Sequence, residues 1–146
     1  MQSIFGIQTQ VTSQIETYLA AQPAYSGYEW HWNQGTELGV EQLPAILAFT
    51  KTSLPTDGER EQNQDGSHYQ TLHIVFRLFL PNPSTITLEA LADSLYNDIN
   101  TCLETNCRGL FRQLANPSMT YMFEITSQLR TADLEIPIIF MTNATN

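Results

Sequence analysis

Between His68 and Leu80 apolar and polar residues alternate so as to define a strand and its two faces. Leu72, Ile74, Phe76, Leu78 and Leu80 fall on one side, and Tyr69, Thr71, His73, Val75, Arg77 and Phe79 on the other. Side chains on a strand change face at every residue, so the stretch predicts a long strand with one wholly apolar face. A slip of one residue would carry His73 and Arg77 into the core, and this pins the register. The mixed opposite face suits an antiparallel sheet only partly shielded from water.

Two segments follow the helical period instead. Ile4, Val11, Ile15, Tyr18 and Leu19 share one stripe, with Gln8, Gln14 and Glu16 turned outward. They predict an amphipathic helix of about four turns, ended by the Gln22–Pro23 step. The second stripe is Leu88, Leu91, Leu95, Ile99, Cys102 and Leu103, with Asp93, Asn97, Asp98 and Asn100 off it. Thr87 is placed to cap this helix, Glu89 complements its dipole, and Asn106 and Gly109 mark its end.

The remaining strands are less distinct. Tyr28–Trp32 alternates three aromatics with Glu29 and His31, which puts both tryptophans on one face. Core packing is the ordinary reading of that pair, and ligand stacking the rarer one. A polar turn, Asn33–Gly39, leads through Leu43-Pro44 into a strand Ala45–Lys51, with Leu47 and Phe49 expected on its inner side. Leu110–Pro117 reads as a connector whose Leu110, Phe111 and Leu114 close one edge of the core. Two strands finish the chain. Met119–Leu129 has the apolar face Tyr121, Phe123 and Ile125; Ala132–Thr142 has Leu134, Ile136, Ile138 and Phe140, with Thr131–Asp133 as the turn between them. Pro137 cannot donate a ladder hydrogen bond, which predicts an edge position or a bulge. The order is α-β-β-β-α-β-β, an α+β fold: an antiparallel sheet of about five strands with two helices on one face. A length of 146 residues fits one domain, residues 1–146.

Thr52–Ser67 stands apart. It carries two turn signals, Asp57-Gly58 and Asp65-Gly66, and no core residue beyond Leu54. Loops of this length in compact domains tend to be functional or disordered. Asp57, Glu59, Arg60, Glu61 and Asp65 are the candidate interface residues, because charges at the tip of a long hairpin reach a neighbour that the body cannot. Their spacing does not match a calcium loop, and Arg60 stands among them.

Charged residues make up 14% of the chain, against about 25% in ordinary globular proteins, and Lys51 is the single lysine. Interface cores are depleted of Lys and Glu, so such a surface suits a protein that hides much of itself against partners; compositional drift explains it equally well. The net charge of −9 argues against a nucleic-acid reader, which needs a basic stripe. The start, MQSIFGIQTQ, has neither the basic region nor the apolar run of a secretory signal, and no apolar stretch approaches the ~20 residues of a membrane span. Cys102 and Cys107 read as reduced thiols of an intracellular protein.

Reactive constellations are not apparent in the sequence. His31, His68 and His73 stand at no metal-binding spacing. There is no glycine-rich phosphate loop and no GxSxG elbow. No catalytic residue, cofactor or metal is expected, and the chain reads as something other than an enzyme.

In the order of its elements the chain resembles the tail terminator (tail completion) proteins of tailed bacteriophages. Leu43-Pro44-Ala45-Ile46-Leu47 is similar to that family's approach to its second strand. The long strand ending at Pro81, helix Thr87–Leu103 and the connector with Leu110 resemble its middle portion, and the last strand pair its C-terminal meander. The polar Thr52–Ser67 and the YEWHW strand depart from the pattern. The resemblance implies a structural virion protein at the tail–neck junction, assembled in the host cytoplasm. It implies a homo-oligomeric ring, commonly a hexamer, that caps the tail tube and joins it to the neck or head connector. The partners implied are further copies, the tube protein, the sheath where there is one, and the connector, while DNA passes through the channel without specific binding. Three alternatives stand beside it: another neck or minor tail protein, a small cytosolic ligand-binding or regulatory module with a pocket beneath Trp30 and Trp32, and a hydrolytic enzyme with an unrecognised site.

Overall fold

The computed structural model describes residues 4–32, 44–51, 67–81, 86–107, 111–121 and 129–143. The elements are helix α1 (Ile4–Ala20), a 3-10 turn (Pro23–Tyr25), β1 (Glu29–Trp32), β2 (Ala45–Lys51), β3 (Ser67–Pro81), helix α2 (Leu88–Asn106), β4 (Phe111–Leu114), β5 (Ser118–Tyr121) and β6 (Leu129–Asn143). The chain is an α+β protein. The sheet runs β1-β2-β3-β6-β4, and β5 pairs with β6 beside β4, so the sheet is five strands wide with its last position shared.

Everything is hung on β3 and β6, which pair antiparallel over their whole length, from Ser67 opposite Asn143 to Pro81 opposite Leu129. Leu72, Ile74, Phe76 and Leu78 stand opposite Ile138, Ile136, Leu134 and Ala132, all of them buried. Both helices lie on this face. Val11, Ile15 and Leu19 from α1 and Leu91, Leu95, Ile99, Cys102 and Leu103 from α2 complete one core with it. The Thr87 hydroxyl accepts from Ala90 N at 3.1 Å and so starts α2 where the sequence places its cap.

Several expectations are corrected. β1 and β2 are parallel, with Trp30 beside Ile46 and Trp32 beside Ala48; alternation reports faces and not direction, and the sheet is mixed. In β2 the core residues are Ile46 and Ala48, opposite Leu78 and Phe76, and Leu47 and Phe49 point to the other face. The supposed connector contains strand β4, and Leu114 packs against the core from there. Thr131–Asp133 is no turn, since Thr131, Ala132 and Asp133 lie inside β6 opposite Phe79, Leu78 and Arg77. Tyr121 lies on the helix side as its alternation predicts, yet it is 43% exposed at the sheet's edge. Phe123 and Ile125 fall outside the described residues.

Pro137 sits in an inner strand, and the reason it is tolerated is local. Its carbonyl accepts from Ala115 N at 2.9 Å, on the side where β4 has ended at Leu114 and β5 has not yet begun at Ser118. A residue in an antiparallel ladder turns its N–H and C=O to the same neighbour. The missing donor of Pro137 therefore faces a break in the sheet and costs no ladder bond.

Candidate functional site

Among the described residues no helix or strand covers the second face of the sheet. The register brings Leu47, Phe49 and Lys51 of β2, Thr71, His73, Val75, Arg77 and Phe79 of β3, and Thr131, Asp133, Glu135 and Pro137 of β6 onto it. Its charges are joined in pairs across the strands. Arg77 donates from Nε and Nη2 to the two carboxylate oxygens of Asp133 at 2.8 and 3.1 Å, a forked geometry that fixes both side chains. The same guanidinium lies 5.8 Å from the centre of the Phe49 ring. One ladder step on, Lys51 Nζ donates to Glu135 Oε1 at 2.7 Å, and His73 Nδ1 lies 3.0 Å from Glu135 Oε2. A carboxylate can only accept, so the His73 proton is on Nδ1. The hydrogen bond from Lys51 holds the Glu135 carboxyl below the usual carboxylate range, and Asp133 pushes the Arg77 guanidinium up. Between the pairs Val75 is 2% exposed, with Phe49 and Glu135 as its cross-strand neighbours. The face is thus an apolar strip with its cations and carboxylates already matched.

At the β1 end the aromatic residues interlock. Trp30 and Trp32 stack with ring centres 5.8 Å apart and planes 8° from parallel. Tyr25 meets Trp30 edge-on at 5.8 Å, and Trp32 meets Phe76 edge-on at 6.1 Å. These rings pack against the core, as the ordinary reading of the pair expects. The Tyr25 hydroxyl donates to Asp98 Oδ2 at 2.6 Å and, its one proton spent, accepts from Ser94 Oγ at 2.8 Å. Burial first, and the bond to Asp98 second, push the Tyr25 phenol up. The 3-10 turn is tied to the middle of α2 in this way.

A groove opens at the opposite edge, between the first turns of α2 and strand β5. Its volume is about 360 Å3, and it is lined by the buried Leu134, the half-buried Met119 and Tyr96, and the exposed Glu89, Asp93 and Tyr121. The Tyr121 hydroxyl donates to Glu89, which holds that carboxyl below its usual range. Tyr96 donates to the Ala115 carbonyl at 3.4 Å, which ties the helix to the segment between β4 and β5.

The candidate interface residues Asp57, Glu59, Arg60, Glu61 and Asp65 lie outside the described residues. So does the His68 side chain. His31 Nε2 is 3.8 Å from Glu29 Oε2, and no three His, Cys, Asp or Glu residues among those described are grouped to hold a metal ion. Cys102 and Cys107 are free and buried, and burial pushes the Cys102 thiol up to about 11. No helix among the described residues is long and apolar enough to cross a membrane. The ion-paired face was absent from the sequence reading. Asp133 and Glu135 do alternate with Leu134 and Ile136, and that alone could have put them on an outer face. Their partners depend on the β3–β6 register, which composition does not give. Comparison with protein-family models and with curated protein sequences finds no match to this chain.

Proposed function

We propose that this chain is a structural subunit of a tailed bacteriophage, a ring-forming tail terminator that caps the tail tube and joins it to the neck or head connector. The observation that carries the reading is the second sheet face, over which no described helix lies. Unpaired charges make covering a surface expensive, because each must be stripped of water. On this face Arg77–Asp133 and Lys51–Glu135–His73 are matched within the subunit, and Leu47, Phe49, Val75 and Phe79 lie on the same face. A neighbour can lie on it with little electrostatic penalty. A closed ring needs such flanks on every copy. The order of elements supports the same reading through the resemblance, with the polar segment 52–67, holding Asp57, Glu59, Arg60, Glu61 and Asp65, as the part that meets the next ring. The acidic balance of the chain favours a channel along which DNA slides without sticking.

The test is assembly. The purified chain is mixed with tail tubes, and their ends are imaged by cryo-electron microscopy. A ring of several copies around the tube axis is expected, and Phe49→Arg, which puts an unmatched cation on the second sheet face, should abolish it while the subunit stays folded. A chain that never binds tube ends and is absent from purified virions would refute the proposal.

A further inference from the structure

We infer that the groove between α2 and β5 is a docking site for a basic segment of another protein, one that presents an Arg or Lys side chain beside an apolar residue. This does not depend on the ring reading. Glu89 and Asp93 stand one helical turn apart and line the groove together with Met119, Leu134, Tyr96 and Tyr121. A long cationic side chain matches each part of that arrangement. Its methylene stem can cover the apolar Met119 and Leu134, its head can meet the carboxylates, and the tyrosine rings suit a cation. The volume of about 360 Å3 falls in the range of sites that enclose a ligand group.

A second observation points to the same end of the molecule. Ile86 and Tyr121 are the large hydrophobic residues that stand exposed among those described, at 39% and 43%. Both belong to this corner. Tyr121 lines the groove, and Arg130 ties Ile86 to it by donating to the Ile86 carbonyl at 3.1 Å while its charge acts on Glu89. Arg130 offsets part of the Glu89 charge, whereas Asp93 pairs with no described cation.

A separate basic protein suits the groove better than the described part of a second copy does. Among the described residues the cations are committed, Lys51 to Glu135, Arg77 to Asp133 and Arg130 to the Ile86 carbonyl. A basic partner is drawn in by the chain's net charge of −9.

The experiment uses the full chain and fluorescein-labelled hexapeptides with the centres Leu-Arg-Leu, Leu-citrulline-Leu and Leu-Glu-Leu, followed by anisotropy and by amide shift mapping. The Leu-Arg-Leu peptide should bind at least tenfold more tightly than the other two, weaken as salt rises, and shift amides around Asp93 and Met119. Asp93→Asn should weaken it by threefold or more with the circular dichroism spectrum unchanged, and Lys51→Ala, remote from the groove, should leave it alone. Three results would each overturn the inference: equal binding of the three peptides, an Asp93→Asn protein that binds as the parent does, or shifts that map elsewhere. A fourth is an Asp93→Asn change in the sedimentation of the chain alone with peptide binding unaltered, which would assign the groove to contact between copies.

Discussion

Phe49 and Phe76 offer a direct test of which sheet face is closed within the subunit. The two residues have the same chemistry and lie on adjacent strands, on opposite faces: Phe76 stands opposite Ala48, and Phe49 opposite Val75. Phe76 is fully buried, with Trp32 edge-on to its ring at 6.1 Å. Its truncation to Ala removes the transfer energy of the ring and leaves a cavity that water cannot fill, together about 3–5 kcal/mol. Phe49 is half-buried under no described element, so its ring contributes roughly half of a full burial, and solvent fills the space it leaves. Half of the roughly 1.5–3 kcal/mol for a buried Phe, with about 0.5 kcal/mol for the Arg77 guanidinium beside it, gives about 1–2 kcal/mol. A domain with about 5–15 kcal/mol of stability survives either change. Urea unfolding followed by tryptophan fluorescence measures both, with equal slopes required for the comparison. In the proposed ring the order should reverse in one respect: Phe49→Ala, the milder change in the subunit, should weaken assembly more than its stability cost explains. A Phe49→Ala loss equal to that of Phe76→Ala would refute the reasoning, because the second face would then be closed within one chain.

Three further outcomes follow from the side-chain contacts. Glu135→Gln should cost roughly 0.2–1 kcal/mol at pH 7, as partly exposed pairs do. The folded carboxyl titrates below its unfolded value, so the stabilisation is present above the unfolded value and disappears as pH falls through the folded one; the gap between parent and variant should narrow as pH falls through the carboxylate range, and a gap that stays constant there would contradict the pairing. Tyr25→Phe should lose about 1.5 kcal/mol by removing the bond to Asp98, read by thermal or urea unfolding, and a loss below about 0.5 kcal/mol would mean that the tie to α2 carries no weight. Cys102, fully buried with its thiol pushed up to about 11, should resist an aromatic disulfide reagent at pH 8 until urea is added. Reaction within seconds in the native state would show that the α1–α2 contact opens easily.

What the sequence made legible follows the contrast between its faces. In β3 one side is wholly apolar and the other holds His73 and Arg77, so parity alone identified the core side, and α2 was equally clear from its stripe and its Thr87 cap. In β2 the contrast is missing. Ala45, Ile46, Leu47, Ala48 and Phe49 are apolar on both sides, and the larger side chains, Leu47 and Phe49, turned out to face away from the helices. Size was a poor guide because the positions opposite Leu78 and Phe76 are crowded by β3 and the tryptophans of β1, and a small Ala48 fits there. β4 was missed because four residues with Arg112 and Gln113 among them show no alternation, and its pairing with β6 is irregular between Phe111 and Gln113.

The misassigned parity of β2 and the ion-paired face have one physical origin. A strand apolar on both sides is expected where both faces of a sheet are covered. β2 has that character, with Ile46 and Ala48 covered by the core and Leu47 and Phe49 on the face without a described helix. The neighbouring charges follow the same logic. Arg77, Asp133, Lys51 and Glu135 would need no fixed partners on a surface left to water, where exposed pairs contribute little. On a surface that is to be covered, matching them beforehand removes most of the penalty of burial. The sequence of β2 and the side-chain pairs across β2, β3 and β6 therefore both fit a sheet face suited to being covered, and in the proposed ring the cover is the adjacent subunit.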